Sequence, residues 1–254
     1  MYTELPVWLD HFEYHATRRC VMPETTQDDL TAYERRLIAQ SLARFQLAEQ
    51  LESAALLRAA RRHERAHGSA PLARVLRLLI AEEQHHVALL GAFLDQHGLA
   101  RKRSNWLDRA VRAVRRLAGF ELHLSVLITM ELIAKVYLRA LESATGSRQL
   151  QTLCRMLVAD ELAHVGFESD LLRELKARRA PLARAAVESF HRAFFCVVSV
   201  LAWRSHRDVL RSAGYRFATF FRACSAQYAF YLEPPPIRAH GAGFMTGMTR
   251  LEER

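Results

Sequence analysis

Glycine and proline are scarce in this chain, ten and seven among 254 residues. So few turn-forming residues argue against a β-rich or a low-complexity disordered chain and favour long helices. Four cysteines, Cys20, Cys154, Cys196 and Cys224, lie far apart with no Cys-x-x-Cys spacing. That pattern speaks against a zinc ribbon and against a disulfide framework, so the thiols are expected to stay reduced. Lysine is nearly absent: Lys102, Lys135 and Lys176 are the only ones beside the arginines that give a formal net charge of +9. The longest apolar run, Ala193 to Trp203, is too short to span a bilayer, and the acidic start MYTELPVWLDHFE lacks the layout of a secretion signal. A cytoplasmic protein without a membrane segment is the expectation.

What is present is helical periodicity, from about Asp29 onward. The spacing predicts six helices in one domain. The first runs from Thr31 to His67 and ends at HGSAP, where Gly68 suits a C-terminal cap, Ser69 an N-cap and Pro71 the first turn of the next. The second reaches His97. An arginine-rich connection containing a short helix leads to a third over Phe120 to Ala144, a fourth over Arg148 to Ala177, a fifth opened by Pro181 and a sixth over Ala213 to Leu232.

The chain also repeats itself. At an offset of 78 positions HGSAPLARVLRLLIAEEQHHV lies over TGSRQLQTLCRMLVADELAHV without a gap, so Glu83 falls on Glu161, His86 on His164 and Glu82 on Asp160. Each Glu-x-x-His pair projects from one helix face and continues an apolar stripe, Leu76, Leu79, Glu83, His86, Leu90 and Leu157, Glu161, His164, Leu171. Inward carboxylates need counter-charges, and a pair of divalent metal ions supplies them compactly. Bundles hold two irons or two manganese ions with such pairs on two helices and a Glu from each of two others. On the third helix Glu131 is the only acid in a long apolar stretch. On the first, Glu49 and Glu52 share the stripe Leu42, Phe45, Glu49, Glu52, Leu56, and either could ligate.

On these residues the sequence resembles the ferritin-like di-iron carboxylate superfamily, over Ala32 to Leu175. The resemblance implies an all-α ferritin-like four-helix bundle with a long crossover and two additional C-terminal helices. Residues 31–232 would form that domain, 1–30 an extension packed on it, and 233–254 a loose tail. Its ligand set would be Glu49 or Glu52, Glu83, His86, Glu131, Glu161 and His164, holding two iron ions, with manganese the alternative. DELAH is further similar to the arylamine N-oxygenases, in which the Asp steadies a ligand histidine, although Leu157 stands where those enzymes carry an additional His. Asp160 is rotated about 100° from Glu161, which suits a contact to His86 on the facing helix, with Glu82 doing the same for His164.

The activity implied is that of a dioxygen-activating non-haem di-iron oxygenase or oxidase, hydroxylating, N-oxygenating or otherwise oxidising a small organic substrate with the help of an electron donor. Glu49, Glu52 and Asp160 would tune the reaction, in a monomer or homodimer. Two other readings stand beside it. One is a tRNA-modifying di-iron hydroxylase that docks nucleic acid through Arg101 to Arg116. The other is a ferroxidase, metal-buffering or manganese-catalase-like protein. His85 is divided between a solvent-edge pair with Glu82 and a place near the metals. His123, His191 and Tyr137 are expected to pack rather than ligate, and Phe190, Phe194 and Phe195 to pack in the core.

Overall fold

The computed structural model describes residues 4–23, 29–50, 53–68, 70–102 and 119–233. Among the described residues there are eight helices and no strand: α1 (Leu5–Ala16), α2 (Ala32–Ala48), α3 (Ser53–His67), α4 (Leu72–Gln96), α5 (Phe120–Ala144), α6 (Arg148–Ala177), α7 (Pro181–Ser212) and α8 (Phe217–Leu232). The protein is all-α, in keeping with its few glycines and prolines. The short helix expected in the basic connection, and the tail after Glu233, lie outside the described residues.

Local chemistry sets several boundaries. Thr31 caps α2 in a capping box, its hydroxyl accepting from the Glu34 N–H while the Glu34 carboxylate accepts from the Thr31 N–H at 2.8 Å. Gly68 ends α3 in the left-handed conformation, φ +62°, where a side chain would be strained. Pro71 stands just before α4, at its N-cap rather than in its first turn. Ser147 caps α6 by accepting from the Leu150 N–H.

Two expectations need correction. The single helix over Thr31 to His67 is two helices: α2 ends at Ala48, with Glu49 as its C-cap and the Glu49 N–H bonded to the Phe45 carbonyl. No Gly or Pro marks that break, so periodicity runs through it. The second correction is to the count of six helices, because the segment 1–30, expected as an extension packed on the domain, contains a helix of its own. α1 packs on α4, buries Leu5 and Phe12, and reaches α6 through Trp8 Nε1, which donates to Asp170 Oδ2 at 3.2 Å.

α5 lies along α6, and α4 packs against α1, α2 and α3. On α4, Leu72 to Ile80 belong to one apolar cluster and Leu89 to Leu94 to another. Between them stand Glu82, Glu83 and His86. α6 shows the same division, Leu150 to Val158 against Val165 to Leu175, with Glu161 and His164 between. A polar layer thus crosses the helices between two apolar ones.

α7 packs on α5, where His191 bonds Thr129, and on α8, where Phe195 meets Tyr228. Its other face is open, and Phe190, expected in the core, is more than half exposed with Val197. By length and composition alone the whole of α7 is long and apolar enough to cross a bilayer, which the eleven-residue apolar run by itself is not.

Glu34 ties the start of α2 to the turn between α5 and α6, because its second oxygen accepts from Gly146 N–H and from Thr145 Oγ1. Glu34→Ala should therefore destabilise the fold by about 1–3 kcal/mol, the loss of a cap plus an orphaned buried donor. Chemical denaturation should read this as a lower midpoint with an unchanged slope; an unaltered midpoint would show the tie to be idle.

Candidate metal centre

The repeat brings its two acidic motifs face to face. His86 and His164 lie with ring centroids 5.7 Å apart and planes at 30°. Glu83 Oε1 stands 2.7 Å from His164 Nδ1 and 3.7 Å from His86 Nδ1, while Glu161 stands 3.5 Å from His86 Nδ1 and 3.6 Å from His164 Nδ1. Each of these two carboxylates therefore faces both imidazoles. Glu49 adds its carboxyl beside Glu83, Glu161 and His86, and Glu131 adds its own beside Glu161 and His164. Glu52 lies outside the described residues.

One member was not foreseen. Glu168 is fully buried on α6, one turn beyond His164, with its carboxyl against that of Glu131. It continues the stripe Leu157, Glu161, His164, Leu171, and that position was the available signal. The repeat concealed it, because an offset of 78 places Glu168 on Leu90. The cluster is consequently asymmetric, with Glu49 at the His86 side and both Glu131 and Glu168 at the His164 side.

Glu83, Glu131, Glu161, His86, His164 and Glu168 are each at most 2% exposed. Many of their polar atoms have no hydrogen-bond partner: Glu83 Oε1, His86 Nδ1, both oxygens of Glu131 and of Glu168, Glu161 Oε2 and His164 Nδ1. Even the 2.7 Å approach of His164 Nδ1 to Glu83 lacks hydrogen-bond alignment. Buried polar atoms are ordinarily paired, and an isolated buried carboxylate costs several kcal/mol. Orphaned carboxylate oxygens and Nδ1 atoms converging on one space are a donor set for cations. One atom from each of Glu83, Glu131, Glu161 and His164 lies within 4.8 Å of the others, so this buried group could hold a metal ion.

The far side of each imidazole is also fixed. His86 Nε2 donates to Asp160 Oδ2 at 3.0 Å, and His164 Nε2 donates to Glu82 Oε2 at 3.0 Å. These contacts run crosswise between α4 and α6. Each carboxylate accepts from Nε2–H and so keeps a proton there, and with a cation in the cluster Nδ1 would turn its lone pair toward it. A third layer lies outside: His15 Nδ1 is 3.8 Å from Glu82, and Cys20 Sγ is 3.8 Å from Asp160. Phe12 from α1 stacks on His164 at 5.8 Å and is itself buried. α1 is thus the cover of the site.

The remaining polar residues fall elsewhere. His85 donates to the Cys20 carbonyl at 2.6 Å, pinning that segment rather than pairing with Glu82. His123 Nδ1 bonds the Gly119 carbonyl, and His191 bonds Thr129 Oγ1 at 3.0 Å. Tyr137 shares a hydrogen bond with Ser41, beside Phe45 and His206, away from the carboxylates. Arg109, Arg112, Arg115 and Arg116 lie outside the described residues.

Comparison of the chain with protein-family models, with curated proteins and with solved structures finds no match.

Without a cation the cluster titrates abnormally. Burial, then the neighbouring carboxylates, raise Glu49 and Glu131 well above the ordinary carboxylate value, and burial raises Glu168 likewise against the downward pull of Glu131 and His164. For the histidines burial works downward but is outweighed. Asp160 and Glu161 carry His86 up to about 10, and Glu161, Glu82 and Glu83 raise His164. Both kinds of group hold more protons folded than unfolded as pH rises past their ordinary values, so each costs stability in that direction. Glu161 is opposite: burial would raise it, but His164 and His86 pull it down to about 2. Its contribution is present above its ordinary value of 4.5 and is lost only in stronger acid. From about pH 5 to 9 the signs therefore agree. Metal-free protein should melt progressively lower across that range, and the gap to protein loaded with ferrous or manganous ion should widen. A gap independent of pH would mean that cations do not neutralise this cluster.

Proposed function

We propose that this chain is a dioxygen-activating non-haem di-iron oxidase or oxygenase of the ferritin-like kind, acting on a small organic molecule. The observation that carries the reading is the convergence of orphaned carboxylate oxygens and two Nδ1 atoms in a space enclosed by α2, α4, α5 and α6. Four helices supplying a Glu, a Glu-x-x-His pair, a Glu and a second Glu-x-x-His pair is the pattern of bundles that hold two irons or two manganese ions. When bound, such a pair of irons supplies redox capacity and a place for dioxygen. Glu83 and Glu161, each facing both imidazoles, would be shared between the ions. Glu49 and His86 would complete one side, and Glu131, Glu168 and His164 the other.

The protein's part is arrangement and exclusion. Asp160 and Glu82 orient the imidazoles and increase their basicity through Nε2. Phe12 and the apolar layers on either side keep bulk water from the carboxylates, which strengthens their hold on a cation. Glu168 supplies an additional carboxyl on one side only, a group able to hold a proton beside Glu131.

Anaerobic loading with ferrous ion followed by air should consume dioxygen in proportion to protein, followed with an oxygen electrode and by optical absorption. Glu83→Ala combined with Glu161→Ala should abolish both metal retention and oxygen uptake. Asp160→Asn should keep its metal under saturating iron yet react about 10 to 100-fold more slowly. An Asp160→Asn protein as fast as wild type removes the orienting role, and metal-loaded wild type inert to dioxygen removes the oxidase reading.

A further inference from the structure

Beyond Glu168, α6 runs on for more than two turns, and Ser169, Leu172 and Lys176 form one wall of a cavity of about 450 Å3 shared with α7 and α8. That volume lies in the range of small-molecule sites. Lys176 stands about 12 Å along the helix axis from Glu168. A second link to the metal cluster comes from α8: Tyr231, which lines the cavity, accepts a hydrogen bond from Lys135 Nζ at 3.0 Å, and Lys135 follows Glu131 by one turn of α5.

The wall is cationic, but only part of that charge is answered. Of its four cations, Arg173 is paired with Asp170 at 2.6 Å and Arg192 with Glu233 at 2.9 Å. Lys176 is only 7% exposed, and among the described residues no hydrogen bond or ion pair within 4 Å meets its ammonium. Burial holds it below the ordinary lysine value, while Glu188 and Glu121 act on it only from a distance. Arg184, exposed in the first turn of α7, is likewise without an ion pair among the described residues. Lys176 Nζ keeps contact with the cavity's water and has no ion pair among the described residues, so an anion entering the cavity would pair with it. A planar guanidinium nearby suits a carboxylate. A doubly charged phosphate would also meet Glu188 and Glu233, so a single negative charge fits better.

We infer that this cavity binds a small organic carboxylate, its anionic end at Lys176 and Arg184 and its apolar body against Leu172, Tyr228 and Leu232. That this carboxylate is the substrate class of the neighbouring centre rests on the oxidase reading above; the binding itself does not.

Phenylacetate serves as the probe, titrated calorimetrically into the full-length, metal-free protein so that the result is independent of the metal centre. It should bind wild type, and the neutral phenylacetamide should bind about tenfold to a hundredfold more weakly. A loss of the same order is expected for phenylacetate with Lys176→Met and with Arg184→Gln. Arg184 is a surface residue, so Arg184→Gln keeps the test sound even if loss of Lys176 disturbs folding. No binding to wild type, equal affinity for acid and amide, or an Arg184→Gln protein that binds as wild type overturns the inference. Inorganic phosphate is the second arm: failure to displace phenylacetate supports the carboxylate, and displacement at equal or lower concentration overturns it in favour of a phosphate ester. In iron-loaded protein, phenylacetate should change the rate of dioxygen consumption in wild type and not in Arg184→Gln. An oxygen reaction indifferent to bound phenylacetate overturns the substrate assignment. Binding as expected with no oxygen reaction at all supports the site and contradicts the oxidase reading alone.

Discussion

Five carboxyl groups and two imidazoles occupy one water-poor layer of this protein, and their charge has to be balanced inside it. Glu49, Glu131 and Glu168 are held well above the ordinary carboxylate value and Glu161 below it, so the layer cannot ionise fully without cations. The two histidines offset only part of the charge, as the contrast between a depressed Glu161 and a raised Glu131 and Glu168 makes plain. Much else in the structure serves this layer. Apolar clusters above and below it remove water, α1 closes one side with Phe12, and Asp160 and Glu82 brace the imidazoles from behind.

The bracing contacts also explain a feature of the repeat. Asp160 and Glu82 occupy equivalent positions, yet each serves the histidine of the other motif. Crossing between α4 and α6 makes the two halves interdependent, since neither imidazole is fully oriented by its own helix. The outer ring of His15 and Cys20 extends the arrangement toward α1. Toward the other end of α6 the cavity lined by Lys176 stands about 12 Å along the helix axis from Glu168, on the side of the cluster that carries the additional carboxyl.

How much of this was legible in the sequence depends on which periodicity carried it. α5 and α6 lie where the periodicity placed them, because Thr145, Gly146 and Ser147 separate two strongly apolar helices. The motif helices and the lone Glu131 were equally plain, since acids inside apolar stripes have few structural reasons to be there. Glu168 escaped because the repeat pairs it with Leu90, and a reading led by symmetry passes over what breaks symmetry. The break after Ala48 escaped for the opposite reason: no Gly or Pro interrupts the helical pattern there. α1 was hidden in a segment whose acidic, aromatic composition gives little periodicity, although Phe12 proves to be one of the most deeply buried side chains.

The space between the two Nδ1 atoms is where a cation would sit. Crystals of protein loaded anaerobically with ferrous ion, measured on both sides of the iron absorption edge, locate iron directly by anomalous scattering. Two peaks per chain are predicted, one beside Nδ1 of His86 and one beside Nδ1 of His164, with Glu83 and Glu161 reaching both. No iron in this layer, or iron bound through Nε2 with Asp160 and Glu82 as its ligands, would contradict the account.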